Sequence, residues 1–350
     1  MKVLIVGYGY MGEIRKQVVD RLGELTLAGV CDPFKSPEKT GCNCPHYLDF
    51  HEAVDDIGPD ITFVCSPNRD IPDVAVYAMR RGSHVFCEKP PGRNIDDIRR
   101  MMAAEAQCPG IKLMFGFNHR HHPAIIEAKS IIDAGRMGQV LWVRGVYGKS
   151  GGQGRGFESS WRNDPAISGG GILLDQGIHM LDLFRLFCGD FDEAVGMTGT
   201  RFWKIPVEDN AFVILRNAKG QMAQLHSSAT LWKHTFRVEV GLEGGYLIIH
   251  GLLSKTGSYG RETLIIGRRP DDDDPYAAVG NPREETVFFD KDLSWDLQVE
   301  EMVRCIKYNL PVTNSSSTDA LRVMEIIAAV YRQAHRGDAY PLSIDEEVHA

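Results

Sequence analysis

Three groups of residues in this chain have types and spacings that can do chemistry: Gly7-x-Gly9-x-x-Gly12, Glu88-Lys89-Pro90, and Asp175 with His179. A lysine ammonium stabilises negative charge growing on an oxygen. An imidazole, with an ordinary pKa of about 6.5, exchanges protons near neutrality, and a carboxylate four residues before it can orient it or bind a neighbouring hydroxyl. The glycines let a backbone turn tightly at Gly7, meet a pyrophosphate at Gly9 and pack a helix on a strand at Gly12, so that the helix N-terminus faces an anion. Tyr10 and Met11 lie between the last two glycines and join that contact. Asp32 follows Gly12 by twenty residues, where a carboxylate accepts hydrogen bonds from an adenosine ribose diol. Its charge repels a 2'-phosphate and no arginine follows it directly, so NAD is expected rather than NADP, with Lys35 the nearby cation that weakens the distinction.

The elements that must position these residues follow from the apolar pattern. Strand-like runs at 2–6, 25–31, 61–65, 84–87 and 112–115 alternate with helix-length segments, the pattern of an α/β domain with a doubly wound parallel (Rossmann) sheet. Val74, Ala75, Ala78 and Met79 carry helical periodicity, and Asn94 is placed to cap a helix over 96–106. Ser66-Pro67-Asn68 closes the third run and Glu88-Lys89-Pro90 the fourth, at the carboxyl ends of parallel strands, where open α/β sheets bind ligands. Ser66, Asn68, Glu88 and Lys89 are therefore assigned to the cofactor site, with Lys89 also a catalytic candidate. A boundary is expected near residue 118, giving domains 1–118 and 119–350.

The second domain reads as α+β with an open antiparallel sheet. A helix over 123–132 leads to a strand at 139–147 and a long loop at 149–165. Strand-length runs at 208–216, 222–231, 236–242 and 246–250, joined by turns such as Lys219-Gly220 and Gly244-Gly245, predict a meander. Helices at 172–188, 296–308 and 318–335 can cover one face, leaving the other to a second subunit, so a homodimer or homotetramer is expected. In the first of these helices Asp175 and His179, at i and i+4, share a face among Leu174, Ile178, Leu181 and Leu183, behind the glycines 169–171.

At 350 residues, 43% hydrophobic and 25% charged, the chain suits two compact domains, and a formal charge of -8 argues against nucleic acid and anionic membranes. A small-molecule partner fits better. No stretch reaches the roughly 18 apolar residues of a membrane span, and Met1-Lys2 runs straight into a strand, so a cytoplasmic location is expected. Of eight cysteines, Cys31, Cys65 and Cys87 end buried-looking strands and read as reduced thiols; Cys42 and Cys44 lack a second ligand pair, so no metal is expected. The Asp271–Asp274 run reads as a solvated loop.

Taken together these residues resemble the Gfo/Idh/MocA family of sugar, cyclitol and sugar-derivative oxidoreductases. The resemblance spans most of the chain: Gly7 to Gly12, Asp32-Pro33, Ser66-Pro67-Asn68, His84-Val85 leading to Glu88-Lys89-Pro90, Phe117-Asn118-His119-Arg120 before Pro123, Trp161-Arg162, and Gly169 through Asp182. It implies a glucose-6-phosphate-dehydrogenase-like second domain and catalytic roles for Lys89, Asp175 and His179. Hydride would pass between nicotinamide and a secondary hydroxyl of a sugar, cyclitol or sugar nucleotide, with His179 as base and Lys89 stabilising the alkoxide. The reverse assignment of those two remains open, because the family is not uniform. Trp161, Arg162, Asn118, Arg120, Asp175 and His179 would meet the substrate. Ile71 stands where the family often has histidine, and the histidines at 119, 121 and 122 exceed its usual pattern; they read as polyol hydrogen-bonding groups or a metal cluster. The glycine-rich loop 149–157, with cations at Lys149 and Arg155, either closes on an anionic substrate or is a surface loop. Two other readings accompany the dehydrogenase: an NAD-dependent glycoside hydrolase with transient oxidation, and a non-catalytic ligand sensor, against which the retained Lys89, Asp175 and His179 count.

Overall fold

The structure, a computed structural model, describes residues 1–151, 156–270 and 280–336. Its first half is built by short apolar runs that alternate with helices. These are β1 (Lys2–Val6), α1 (Tyr10–Arg21), β2 (Thr26–Cys31), α2 (Pro37–Thr40), β3 (His46–Tyr47), α3 (Phe50–Ile57), β4 (Ile61–Val64), α4 (Ile71–Arg80), β5 (His84–Cys87), α5 (Ile95–Gln107) and β6 (Leu113–Phe115). The six strands are parallel in the order β3-β2-β1-β4-β5-β6, so the winding reverses between β1 and β4 and opens a crevice at their carboxyl ends. Gly7 closes β1 with φ of 88°, and a Cβ there would lie 2.6 Å from the backbone of Cys65, just beyond β4. At Gly12 an added Cβ would collide with the carbonyl of Gly7, so α1 packs on the turn only because both positions lack side chains. Asn94 caps α5 as expected, its Oδ1 accepting from Asp97 N at 3.0 Å.

The second half begins after a 3-10 turn, Asn118–His121, with α6 (Pro123–Asp133) and β7 (Val140–Gly148). A short α7 (Pro165–Ser168) and a π-helical turn, Leu173–Gly177, lead into α8 (Ile178–Cys188). The remaining elements are β8 (Glu193–Gly199), β9 (Asn210–Arg216), β10 (Met222–Ser228), β11 (Thr235–Leu242), β12 (Gly245–His250), β13 (Glu262–Arg268), β14 (Glu284–Phe289), α9 (Ser294–Lys307) and α10 (Ser317–Arg336).

The eight strands from β7 onward order as β14-β13-β12-β11-β7-β10-β9-β8. The expected meander is therefore interrupted: β9 pairs with β10 and β11 with β12, but β7 lies between β10 and β11, parallel to the former and antiparallel to the latter. The segment joining β10 to β11 crosses over β7, which turn patterns cannot reveal. Strands β8, β13 and β14 extend the sheet beyond the four runs expected from sequence.

Of the two C-terminal helices, only α10 lies against this sheet, along β8. The other, α9, packs on α1, and its Val299, Met302 and Val303 enter the apolar cluster of Val3, Ile5, Phe63 and Phe86 in the first sheet. Their i, i+3, i+4 spacing makes one stripe, and a buried sheet face was available to receive it. Arg15 of α1, fully buried, is clamped there between Glu88 at 2.7 Å, Gln298 at 3.1 Å and the ring of Phe86 at 4.3 Å.

Candidate active site

Two cavities meet at the carboxyl ends of β1, β4 and β5. The first, about 560 Å³, runs along the crevice and is lined by Gly7, Gly9, Tyr10, Met11, Asp32 and Ser66 among others. Asp32, at the end of β2, is fixed by three backbone N–H donors: Tyr8 at 2.8 Å, Phe34 at 2.8 Å and Lys35 at 3.1 Å. Lys35 Nζ is held by the Tyr8 carbonyl and Glu13. Gly9 faces open space, and the Ser66 hydroxyl is buried without a hydrogen-bond partner. An approachable backbone, a carboxylate at the second strand end and an unpartnered hydroxyl along one crevice are what a dinucleotide requires.

The second cavity, about 530 Å³, is lined by Lys89, Tyr147, Lys149, Arg162, Asp175 and Gln176 among others. Tyr10, Met11 and Arg162 line both cavities, so they adjoin there. Lys89 is carried past the end of β5 with its peptide to Pro90 in the cis form. Its Nζ donates to the backbone carbonyl of Asp175 at 2.6 Å and lies 3.7 Å from the Asp175 carboxylate. That carboxylate also meets Lys149 at 3.2 Å and Arg162 Nε at 3.7 Å. Burial pushes the Asp175 carboxyl up, but Lys149, Lys89 and Arg162 outweigh it and hold it far below the usual carboxylate range. The Lys89 ammonium is pushed down, first by burial and then by Arg162 and Lys149, against the pull of Asp175.

Asp175 and His179 do not act as a hydrogen-bonded pair along an α-helix. The π-helical turn carries Asp175 and ends before His179, and a widened turn rotates side chains out of the i, i+4 register. Asp175 faces the three cations, whereas the His179 ring stacks on His119 with centroids 3.7 Å apart, its Nδ1 buried and unpartnered. His119 Nε2 in turn lies 3.2 Å from the Tyr147 hydroxyl. Burial, then the charges of Lys89 and His122, holds the His179 imidazole well below its ordinary pKa; burial, then His179, His122 and Lys89, does the same for His119.

Other expected site residues have different partners. Arg120 is turned away from both cavities: it makes a two-pronged pair with the fully buried Asp182, at 2.8 and 2.6 Å, and reaches Asn314 and Asp319. Asn118 Nδ2 donates to the Ser294 hydroxyl at 3.3 Å, and Asn68 Nδ2 to the Ser168 carbonyl at 2.7 Å. Glu88 is buried against Arg15. Trp161 lines the crevice rather than the second cavity, with Arg162 stacked over its ring at 4.5 Å. His122 pairs with the buried Glu262 at 2.8 Å, and His121 lies 3.6 Å from Glu301. Among the described residues no His, Cys, Asp or Glu group is arranged to hold a metal ion. Residues 152–155 of the glycine-rich loop, Arg155 included, and the Asp271–Asp274 run lie outside the described residues. Tyr147 and Gln176, which line the second cavity, were missed as site residues: Tyr147 closes an ordinary strand, and only the pairing of β7 with β10 and β11 brings it here.

Comparison with known proteins agrees with this geometry. The oxidoreductase family with an NAD-binding Rossmann fold matches residues 1–117, and the GFO/IDH/MocA C-terminal domain matches 125–248. A levoglucosan dehydrogenase of Pseudarthrobacter phenanthrenivorans is 28% identical over 172 residues, 49% of this chain and 44% of that protein, so the match spans under half of it. A myo-inositol 2-dehydrogenase of Thermotoga maritima is 26% identical over 69% of this chain and 72% of its own length. A solved levoglucosan dehydrogenase in complex with NADH and levoglucosan superposes with a TM-score of 0.83 at 20% identity, over 96% of this chain and 97% of that one. Two matched domains, a doubly wound sheet and a dinucleotide crevice at its switch point make this chain a member of the Gfo/Idh/MocA oxidoreductase family, with that family's NAD-binding Rossmann domain.

Proposed function

We propose that the protein is an NAD-dependent dehydrogenase that oxidises a secondary hydroxyl of a sugar or cyclitol. The observation that carries this reading is the junction of the two cavities, where Lys89 and Asp175 face the space beside a crevice fit for a dinucleotide. Oxidation of a secondary alcohol breaks an O–H and a C–H bond and leaves a carbonyl. Bound NAD supplies the acceptor for the hydride. Lys89 stabilises the negative charge that develops on the substrate oxygen. His179 lines neither cavity and lies behind the second one, stacked on His119; burial favours its neutral form, the form that would accept the hydroxyl proton from a substrate seated deeper than Asp175. Asp175 anchors Lys89 through its backbone carbonyl and aligns substrate hydroxyls with its carboxylate. Asp32 binds the adenosine ribose, and Gly9, Tyr10, Met11 and Ser66 line the pyrophosphate path.

The outer face of the eight-stranded sheet exposes Val195, Met197, Phe212, Ile214 and Met222, each more than half accessible. We propose that it joins two copies of the chain in a homodimer or homotetramer. A cytoplasmic location is proposed from the eight unpaired cysteines. Among the described residues no helix is long and apolar enough to cross a membrane.

The test is NADH formation by purified protein with NAD and a panel of free sugars, inositols, sugar acids and glycosides, with products identified by mass spectrometry. NADH accumulating with an oxidised product supports the reading. Cleavage of a glycoside without NADH would replace it with hydrolysis, and absence of any conversion would remove it.

A further inference from the structure

Among the described residues, the charged side chains that line the second cavity do not balance. Three cations, Lys89, Lys149 and Arg162, face two carboxylates, Asp175 and Glu208. Glu208 is already committed to the fold: its oxygens accept from Gly171 N at 2.9 Å, Leu173 N at 3.0 Å and the Tyr331 hydroxyl at 2.8 Å, which fixes the entry to the π-helical turn. Asp175 is thus shared by all three cations. Even with both carboxylates ionised, one positive charge is left over, and an oxidised nicotinamide brings another. Like charges in a partly water-excluded cavity repel far more strongly than in bulk water, so such a site favours an anion.

The three cations have different commitments. Lys89 is tied to the Asp175 carbonyl, where it serves the reacting oxygen. Arg162 stacks on Trp161 and lines the dinucleotide crevice as well. Lys149 lines the second cavity and not the crevice, and the Asp175 carboxylate at 3.2 Å is its one side-chain partner among the described residues. Its backbone is fixed at the end of β7: its N–H donates to the Ser228 carbonyl at 3.0 Å, and its carbonyl accepts from Leu231 N at 3.2 Å.

We infer that the substrate is a sugar or cyclitol that bears a carboxylate, and that Lys149 is the residue that recognises it. The excess of one lining charge matches a carboxylate better than a phosphate monoester, which carries roughly -1.5 to -2 at neutral pH. An incoming carboxylate takes Lys149 and leaves Asp175 to Lys89 and Arg162, so substrate binding removes one competitor for the carboxylate that meets Lys89. The inference rests on the dehydrogenase reading of this site.

The test titrates the NADH-bound protein with matched probes, D-glucuronate against D-glucose and D-galacturonate against D-galactose, by calorimetry, and measures NADH formation from the same probes separately. Since a charge-assisted hydrogen bond contributes about 1.5–3 kcal/mol, at least one acid is expected to bind about tenfold or more tightly than its neutral partner. Lys149→Met should bring that ratio below about threefold, and Lys149→Arg should keep most of it, which separates recognition of charge from general damage to the fold. Neutral sugars binding as well as the acids, no binding by either, or an acid preference that survives Lys149→Met overturns the inference. NADH formed from neutral sugars without acid preference would leave the dehydrogenase reading standing alone. Acid-selective binding that depends on Lys149, with no NADH from any probe, would support the anion site and remove the dehydrogenase reading.

Discussion

Lys89 is the side chain on which the proposed chemistry depends most directly, because its ammonium reaches the cavity between the Asp175 carbonyl and carboxylate. Lys89→Met should lower kcat by about 10²-fold or more, as loss of one preorganised oxyanion donor does, while NAD binding by calorimetry stays close to that of the parent protein. Equal loss of both would put Lys89 in the cofactor site alone. Asp32→Ala should weaken NAD by about tenfold and bring NADP to comparable affinity, since a charged acceptor for the ribose and a repulsive charge toward a 2'-phosphate disappear together. With His179 as the proposed base, its ionisation would set the acid limb of activity. Burial, then Lys89 and His122, lowers its pKa from 6.5, so the neutral form persists as pH falls, and kcat/KM should hold through pH 6.5 and decline only below it. An acid limb at or above pH 6.5 would show that another group is the base.

Elements are held in register by polar ties whose partners lie far apart in sequence. Arg120, in the 3-10 turn after β6, joins Asp182 of α8 and Asp319 of α10, while Arg15 of α1 joins Glu88 after β5 and Gln298 of α9. Arg120→Met leaves the buried Asp182 without its two-pronged hydrogen-bond donor, with only the more distant charge of Arg185 to offset it, and should cost about 3–5 kcal/mol in urea unfolding. The double variant Arg120→Met with Asp182→Leu should recover much of that loss, because the charge and its counter-charge leave together. A small loss in the single variant would mean that water reaches Asp182. The π-helical turn is the other decisive element. Regular i, i+4 spacing suggested a contact between Asp175 and His179, but the extra residue in that turn sends Asp175 to the cations and His179 onto His119. Sequence periodicity records which residues are apolar, not where a helix widens, so this divergence was not legible in it.

At the scale of the whole molecule, the two sheets enclose a site that neither forms alone: the first carries Lys89 and the crevice, the second Tyr147 and Lys149, and the π-helical turn Asp175. The outer sheet face predicts assembly. Phe212→Asp together with Ile214→Asp should shift the protein to a monomer in light scattering after size exclusion, and an unchanged mass would exclude that face as the interface. The parallel sheet, its glycine turn and Asp32 were legible because strand runs, turn glycines and the carboxylate at a strand end are local features whose physics acts within a few residues. Lys89, Asp175 and His179 could be nominated by type and motif for the same reason. Tertiary structure alone decided the rest: β7 between β10 and β11, α9 on the first sheet, Arg120 and Glu88 in buried ion pairs, and the concentration of Lys89, Lys149 and Arg162 around one carboxylate. Those outcomes depend on which buried surfaces and charges meet between separate elements, 62 residues apart for Arg120 and Asp182 and 73 for Arg15 and Glu88, and local sequence carries no record of such meetings.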